Sequence, residues 1–283
     1  MKNIFIVPNP QKDENFCVTK KVSEFLYTNG ARIYIPIVYS KSKIEFCTYV
    51  NEIPSDAELV IVIGGDGSFI DATAYALASN IPILGVNLGK VGYLNEVEEK
   101  DISVLRGIFE NTYQIEEKIL LSFEYTKDGN TVSGTRLAVN DIVVSHSMYL
   151  GIADFVVYSK EGGVRYRADG AVFSTPQGST AYSLSAGGPI VSHDANAIIV
   201  TPIAPHSFFN RSIVFSESEE IKIKNFSKES LSISVDGRYY DKIDPSEKCI
   251  VKSADKKLKV LTFKDNNMFS NLFSKMQIVE DII

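Results

Sequence analysis

Short apolar, β-branched runs alternate with helical patterns over the first 115 residues. The runs predict strands at residues 4–7, 33–38, 59–63 and 81–86. A helix is predicted between the first two strands, ending at Asn29-Gly30, and a second begins directly after Gly67, with apolar residues at Ile70, Ala74 and Ala78. Alternating strands and helices indicate a Rossmann-like parallel α/β domain over residues 1–115.

From about Glu117 the pattern changes to alternating apolar and polar positions between turn residues. The turns expected to close hairpins are Asp128-Gly129-Asn130, Glu161-Gly162-Gly163 and Asp236-Gly237. The predicted strands are residues 120–125, 154–158, 221–224, 231–235 and 258–263. One apolar and one polar face per strand predicts a mostly antiparallel β-sandwich over residues 116–265. Residues 266–283 carry Met268, Leu272, Phe273 and Met276, and we expect them to form a helix that packs back on the first domain.

Composition narrows the class of protein. Of 283 residues 45% are hydrophobic and 23% charged, which is ordinary for a globular protein. The 35 acidic residues outnumber the 29 basic ones, so we expect no binding to nucleic acid or to an anionic membrane through bulk charge. No apolar stretch approaches a membrane span. Cys17, Cys47 and Cys249 lie far apart without a CxxC motif, so we expect reduced thiols and a cytoplasmic protein.

The strongest local signal for chemistry is the segment Gly64-Gly65-Asp66-Gly67-Ser68, here called the glycine turn, between a predicted strand and a predicted helix. Glycines allow backbone N–H groups to face an anion, and a helix N-terminus adds a partial positive charge. The glycine turn is therefore a candidate phosphate site. From spacing alone, a tight turn in which Asp66 caps the helix is an equally good interpretation.

Several known motifs are absent. Ile70 stands where a dinucleotide fingerprint would have its third glycine, and GxxxGK at residues 85–90 is one residue short of a Walker A loop. The three histidines, His146, His193 and His206, share no metal-binding spacing, and there is no GxSxG elbow. A P-loop enzyme, a zinc hydrolase and a serine hydrolase are therefore disfavoured.

A second candidate is the segment from residue 175 to 189, TPQGSTAYSLSAGGP. Hydroxyl-bearing and small residues begin a short helix after Gly178, inside a region otherwise built of strands. The ring of Tyr182 is suited to stacking on a base, and Thr180, Ser183 and Ser185 supply hydrogen-bonding groups. The alternative is a structural crossover between two sheets.

Polar residues next to apolar runs form a third candidate. Asn140-Asp141 precedes one such run, and Arg167-Ala168-Asp169-Gly170 precedes another. Adjacent amide and carboxylate groups at strand ends suit the paired hydroxyls of a ribose. Each pair taken alone also fits an ordinary turn.

Taken together, these residues resemble the NAD kinase family. The matching segments, in family order, are residues 64–67, 87–94, 140–141, 168–170, 175–189 and 201–207. The glycine turn alone is shared with diacylglycerol, sphingosine and 6-phosphofructo kinases, whereas the 175–189 segment is specific to this family.

The resemblance implies phosphorylation of the 2′-hydroxyl of the adenosine ribose of NAD, with ATP as donor and Mg²⁺ bound through the ATP phosphates. It implies that Asp66 is the catalytic residue, and that the protein is a homodimer or homotetramer whose sites are completed by a neighbouring subunit. The implied NAD- and ATP-binding residues are Gly64, Gly65, Asp66, Gly67, Ser68, Asn140, Asp141, Arg167, Asp169, Thr180, Ala181, Tyr182, Ser183, Leu184, Ser185, Ala204 and Arg238.

The chain departs from the family pattern at a few positions, and two other functions stay open. Ser68 stands where threonine is usual, Asp141 where glutamate is usual, and Tyr93 where phenylalanine is usual. One alternative is a lipid or sugar kinase with the same glycine turn, and the other is a dinucleotide-sensing module without turnover. The choices between ATP and polyphosphate, and between NAD and NADH, also stay open.

Overall fold

The computed structural model describes residues 2–89, 94–146 and 152–263. Contacts divide these residues into two compact units, residues 2–117 with 258–263, and residues 118–257. Each unit has a hydrophobic core of its own.

The strands of the described residues follow in chain order. They are β1 (Lys2–Pro8), β2 (Ala31–Pro36), β3 (Thr48–Val50), β4 (Leu59–Gly64), β5 (Ile83–Asn87), β6 (Val97–Glu98), β7 (Gln114–Lys118), β8 (Leu121–Lys127), β9 (Asn130–Ser133), β10 (Asp141–His146), β11 (Ala153–Ser159), β12 (Gly162–Ala168), β13 (Gly170–Ser174), β14 (Ala197–Ile203), β15 (Ile213–Ser216), β16 (Ile221–Asn225), β17 (Leu231–Val235), β18 (Arg238–Ile243), β19 (Lys248–Ser253) and β20 (Leu258–Thr262).

Helices are concentrated in the first unit. The α-helices are α1 (Cys17–Thr28), α2 (Asp66–Ser79), α3 (Gly107–Glu110) and α4 (Tyr182–Ser185). Short 3₁₀ helices span Glu14–Phe16, Ile37–Ser42, Glu99–Arg106 and Gln177–Thr180. In the described part of the chain, no helix is long and apolar enough to cross a membrane.

The first unit is built on one sheet with the strand order β3-β2-β1-β4-β5-β20-β7, and β6 also pairs with β5. The pairs that join β3, β2, β1, β4 and β5 in this order are all parallel. Every residue of β4 is buried, as expected for a central parallel strand. The order reverses direction between β1 and β4, and in such sheets ligands bind outside the carboxyl ends of the strands at this position. The predicted parallel α/β fold is confirmed.

The second unit consists of two antiparallel sheets. Their strand orders are β15-β14-β13-β10-β17-β18 and β12-β11-β16-β19-β8-β9. Inward-facing residues of both sheets form one core, in which Phe123, Phe155, Tyr166 and Phe173 are among the largest fully buried side chains. The predicted antiparallel β-sandwich is confirmed.

Turn chemistry explains the hairpins of this unit. Asp128 and Gly129 have φ values of 52° and 76°, and Asp236 and Gly237 have 48° and 75°. Two successive residues with positive φ form the turn that matches the twist of a two-residue hairpin, and Asp-Gly is a favoured pair for it. The predicted hairpins β8–β9, β11–β12 and β17–β18 are all present.

One strand lies in the other sheet from the one predicted. The sequence pattern predicts residues 258–263 as a strand of the antiparallel half, but β20 pairs in parallel with β5 through Val260 and Ile83, inside the first unit. The polar Lys259 makes this segment resemble a half-exposed hairpin strand, although four of its five residues are buried. The predicted helix within residues 266–283 and the motif residues 90–93 lie outside the described residues.

Candidate functional site

The first cluster of candidate residues is the glycine turn itself, which joins β4 to α2. Gly65 precedes the helix with extended backbone angles, φ −107° and ψ −172°, and Ser68 and Phe69 donate the first helical hydrogen bonds to its carbonyl at 2.9 and 3.1 Å. A Cβ on Gly64 would lie 2.7 Å from Cβ of Ser68, whereas a Cβ on Gly67 would meet nothing within 4 Å. The turn is thus packed on the Gly64 side and open at Gly67.

Asp66 is held at the first position of α2 by groups from the loop after β5. Its Oδ1 accepts hydrogen bonds from the backbone N–H of Leu94 at 3.1 Å and from Nδ2 of Asn95 at 2.9 Å. A carboxylate at a helix N-terminus is stabilised by the helix dipole. The side chain therefore has a defined orientation, as a residue that positions a reacting hydroxyl requires.

Backbone atoms from neighbouring loops complete this edge of the sheet. Leu88 donates its N–H to the carbonyl of Gly64 at 3.0 Å, and Asn87 at the end of β5 exchanges hydrogen bonds with Gly89 at 2.9 and 3.1 Å. On the other side, Asn9, directly after β1, donates from Nδ2 to Oγ of Ser68 at 2.6 Å. The ends of β1, β4 and β5 thereby form one hydrogen-bonded surface.

The second cluster lies in the second unit, around Asn140 and Asp141. Asp236, in the β17–β18 turn, accepts the backbone N–H groups of Val139, Asn140 and Asp141 at 3.0, 2.8 and 3.2 Å. The N–H of Asp236 donates in return to the carbonyl of Asp141 at 2.9 Å. The backbone of the Asn140-Asp141 pair is fixed by a carboxylate almost one hundred residues further along the chain.

Burial changes the acid–base behaviour of Asp141. This residue is only 4% exposed. Burial, followed by the negative charge of Asp236, raises the pKa of Asp141 to about 7. Burial also raises the pKa of Asp236, against the three backbone N–H groups that it accepts. Near neutral pH the carboxyl group of Asp141 is partly protonated, and in that form it donates a hydrogen bond as well as accepting one.

The start of the 175–189 segment wraps around Asn140. Thr175 donates from its backbone N–H to the carbonyl of Asn140 at 2.9 Å and from Oγ1 to that of Val139 at 2.8 Å, and its Oγ1 accepts the N–H of Gly178 at 3.0 Å. A Cβ on Gly178 would collide with the carbonyl group of Asn140. Glycine at position 178 is therefore needed for this close approach of two backbones.

The remaining residues of the segment divide into structural and accessible side chains. Ser183 is fully buried, and its hydroxyl pairs with Oγ1 of Thr201 at 3.0 Å, while Thr180 donates to the carbonyl of Gln177 at 3.1 Å. Tyr182 is 44% exposed and Ser185 is exposed. Ala181 and Leu184 are partly buried between them. Of the side chains predicted to contact ligand, Tyr182 and Ser185 are accessible, and the hydroxyl of Ser183 is occupied within the protein.

Asp169 is tied by its backbone to Ile203, the residue before Ala204. The N–H of Asp169 donates to the carbonyl of Ile203 at 2.9 Å, and the next residue, Ala204, has a φ of 43°. A non-glycine residue in this left-handed region carries strain, which is often found at functional sites. A carboxylate oxygen of Asp169 lies 3.8 Å from Nε2 of His146.

Arg167 and Arg238 lie elsewhere in this unit. The exposed Arg167 lines a cavity of about 710 Å³, together with Arg165, His146 and Phe226. Arg238 is the first residue of β18, directly after the Asp236-Gly237 turn. The described residues thus place the candidates of the second unit in two groups, one around Asn140 and one around residues 167–169 and 204.

Sequence reasoning missed two residues that the structure brings to these clusters. Lys12 reaches Gly65 from the loop after β1, and the carboxylate of Asp236 supports Asn140-Asp141. Asp236 was recognised only as part of a hairpin turn. The one signal for Lys12 was its place after the first strand of a parallel sheet, where ligand-binding loops occur.

Among the described residues, the glycine turn is where a divalent cation could bind. No group of three or more His, Cys, Asp or Glu side chains among them is placed to hold a metal ion. The glycine turn contributes one carboxylate, that of Asp66. Such a site fits Mg²⁺, which commonly binds through one or two carboxylates together with substrate phosphates and water.

Two family models and a curated relative match this chain. The family model described as the ATP-NAD kinase N-terminal domain matches residues 4–113, and that of the ATP-NAD kinase C-terminal domain matches residues 125–263. A curated relative named NAD kinase, from Lachnoclostridium phytofermentans, is 36% identical over 286 residues that cover 97% of this chain and 99% of the relative.

Two solved structures share the fold. Yeast NADH kinase complexed with NADH has a TM-score of 0.86 at 23% identity, over 96% of this chain and 86% of that one. An NAD kinase from Archaeoglobus fulgidus in complex with ATP has a TM-score of 0.71 at 22% identity, over 98% and 99% of the two chains. At these identities the likeness concerns the fold.

Proposed function

Because this chain belongs to the NAD kinase family, we propose that Asp66 is its catalytic residue and that the candidate residues of the second unit bind NAD. As a member of this family, the chain is an enzyme that phosphorylates NAD with ATP. The single observation that supports the role of Asp66 is its fixed position at the N-terminus of α2, in an open glycine turn.

The proposed reaction is an in-line transfer. The 2′-oxygen of the adenosine ribose of NAD forms a bond to the γ-phosphorus of ATP while the bond from that phosphorus to the β,γ-bridging oxygen breaks, which yields NADP and ADP. Asp66 orients the 2′-hydroxyl and accepts its proton late in the transfer. Positioning contributes most, because a loose transition state demands little basicity.

We propose that the ring of Tyr182 stacks on the adenine of NAD, supported by its exposed face. Asn140 and Asp141 bind the ribose hydroxyls, with their backbone fixed by Asp236. Asp169 and Ala204 then bind the remaining part of the dinucleotide. This assignment is supported by the partly protonated carboxyl group of Asp141, because a ribose hydroxyl both donates and accepts.

The proposal includes Mg²⁺ bound through the ATP phosphates. Asp66, which supplies the carboxylate of the glycine turn, would be its protein ligand. When bound, it neutralises the charge that develops during the transfer. Gly64, Gly65, Gly67 and Ser68 present backbone and hydroxyl groups to the same phosphates.

The state of the protein in the cell is also part of the proposal. We expect residues 1–115 to act as the phosphate-binding domain and the β-rich residues that follow as the NAD-binding domain. A homodimer or homotetramer is supported by the full exposure of Phe208, close to Ala204 in the chain. A cytoplasmic location is supported by three free thiols at Cys17, Cys47 and Cys249.

The test is a coupled assay of the purified protein with Mg²⁺, ATP and NAD, read as NADP formed. Asp66→Asn should lower kcat by at least about 10²-fold, which is typical for loss of a general base, while the Kd for NAD stays within twofold. The asparagine Oδ1 can still accept from Leu94 and Asn95, so the turn should keep its geometry.

Asp71→Asn is the matched control, because Asp71 is an exposed carboxylate on the same helix. Near-normal turnover by Asp66→Asn would exclude the assigned role. The same assay with polyphosphate in place of ATP, and with NADH in place of NAD, determines which phosphoryl donor and which acceptor the protein uses.

A further inference from the structure

The loop after β1 is tied directly to the glycine turn. Asn9 donates its backbone N–H to the carbonyl of Ile63 at 2.9 Å and its Nδ2 to Oγ of Ser68 at 2.6 Å. These contacts follow from the parallel pairing of β1 with β4, in which Pro8 lies opposite Ile63. The two loops therefore emerge side by side where the strand order reverses.

The backbone around position 12 is fixed from both sides. Asn9 accepts the N–H of Lys12 at Oδ1 and at its carbonyl oxygen, each at 3.2 Å. On the other side, Asp13 is 2% exposed and accepts the N–H groups of Val18 and Thr19, each at 2.9 Å. Lys12 thus extends from a backbone position held between the partly buried Asn9 and the buried Asp13.

From this position the side chain of Lys12 reaches the glycine turn. A Cβ placed on Gly65 would meet the Nζ of Lys12 first, and then its Cε at 3.6 Å and its Cδ at 3.9 Å. The side chain lies across Gly65, next to the helix N-terminus that is the candidate phosphate site. Within the described residues, the ammonium group of Lys12 makes no ion pair.

We propose that Lys12 binds the triphosphate of ATP at the glycine turn; this inference rests on the proposed function. An ammonium group acts on phosphate as a compact point charge, complementing backbone N–H groups that supply direction. Gly67 lies outside the first helical hydrogen bonds, which start at Ser68, and the space over it is open. Lys12 supplies positive charge beside a turn whose own ionisable side chain, Asp66, is negative.

The experiment varies ATP at saturating NAD and then NAD at saturating ATP, for the wild type, Lys12→Met and Lys12→Arg. Lys12→Met removes the charge and keeps the length of the side chain. Its KM for ATP should rise by about 10- to 100-fold, as expected for the loss of one charge-assisted hydrogen bond, with the KM for NAD within twofold. Lys12→Arg should recover most of the ATP affinity.

Direct binding measurements with ATP and AMP distinguish a contact of Lys12 with the triphosphate from a contact with the rest of the nucleotide. The affinity of Lys12→Met should fall for ATP and stay within twofold for AMP. Lys20→Met is the matched control, because Lys20 is an exposed lysine on α1 with no role in the turn, and its KM values should not change.

An unchanged KM for ATP in Lys12→Met, or a rise in the KM for NAD instead, would overturn the inference. If the wild type makes NADP and Lys12→Met is unaffected, only the role of Lys12 is rejected. If the wild type makes no NADP, or if Asp66→Asn is active, the proposed function itself is rejected. If the thermal midpoint shows that Lys12→Met is unfolded, Lys12→Gln at the same exposed position gives the same comparison.

Discussion

At the scale of single residues, Asp141 combines burial with a neighbouring charge. Its pKa of about 7 means that the folded protein keeps a proton there over a pH range in which the unfolded chain, with an aspartate near 3.9, has released it. Stabilisation by this group is therefore complete below about pH 4 and is lost as the pH rises through about 7.

Asp141→Asn should remove this dependence, because an amide has no proton to release. Relative to the wild type, the free energy of unfolding of Asp141→Asn should rise by about 3 kcal/mol between pH 5 and pH 8. Urea unfolding of both proteins at several pH values measures the difference. Asp128→Asn, at an exposed hairpin tip, is the control variant. A difference between Asp141→Asn and wild type that is constant with pH would contradict the buried proton.

At the scale of elements, the glycine turn is packed on one side, at Gly64, and open on the other, at Gly67. On the packed side, Gly64→Ala would place Cβ 2.7 Å from Cβ of Ser68 and 3.2 Å from Cβ of Asn9, both held by their mutual hydrogen bond. On the open side, Gly67→Ala would meet nothing within 4 Å and lies inside a helix, where alanine is favoured over glycine.

These two substitutions should have opposite effects on fold and activity. Gly64→Ala should lower the free energy of unfolding by about 1–3 kcal/mol, the usual cost of overpacking. Gly67→Ala should leave stability equal or slightly higher, but should raise the KM for ATP, because its methyl group enters the space proposed for phosphate. Thermal unfolding and initial rates on both variants measure the two effects. Equal loss of stability in both would mean that the turn is packed on each side.

The elements also show what sequence can predict. Strands β1 and β4, helix α2 and the Asp-Gly hairpin turns depend on local patterns of apolar residues and turn chemistry, so their positions could be predicted. The sheet to which β20 belongs could not, because its partner Ile83 lies far away in the chain and its own pattern fits either sheet.

The same reasoning applies to the candidate sites. The glycine turn and Asn140-Asp141 could be singled out from the sequence because their residue types suit the binding of phosphate and of ribose hydroxyls. The contact of Lys12 with Gly65 depends on β1 lying beside β4, and that of Asp236 with Asn140 depends on β17 pairing with β10. A sequence read along the chain contains neither pairing, so both supporting residues appeared as ordinary loop and turn positions.

At the scale of the whole molecule, the net charge of −6 and the proposed substrates have to be reconciled. An acidic protein does not attract ATP or NAD through its overall field. Both ligands must be held by local groups, which in the proposed site are helix and turn N–H groups, Mg²⁺ and single cations such as Lys12. The acidic balance therefore disfavours polymers bound by bulk charge and is compatible with small polyanions.

Assembly is the remaining property at this scale, and Phe208 offers a way to test it. Phe209, its neighbour, is 42% exposed and lies with its ring 6.2 Å from that of Tyr166, while Phe208 is fully exposed. If Phe208 packs against a second copy, Phe208→Ser should raise the dissociation constant of the oligomer at least about 10-fold, since burying a phenylalanine contributes about 1.5–3 kcal/mol. Light scattering across a dilution series measures this constant. Val38→Ser, at another highly exposed apolar position, should leave this dissociation constant unchanged.

Because the family's sites are proposed to need a neighbouring subunit, NADP formation should fall on dilution in parallel with the loss of oligomer. A Phe208→Ser protein with wild-type mass at every concentration would place the subunit contact elsewhere.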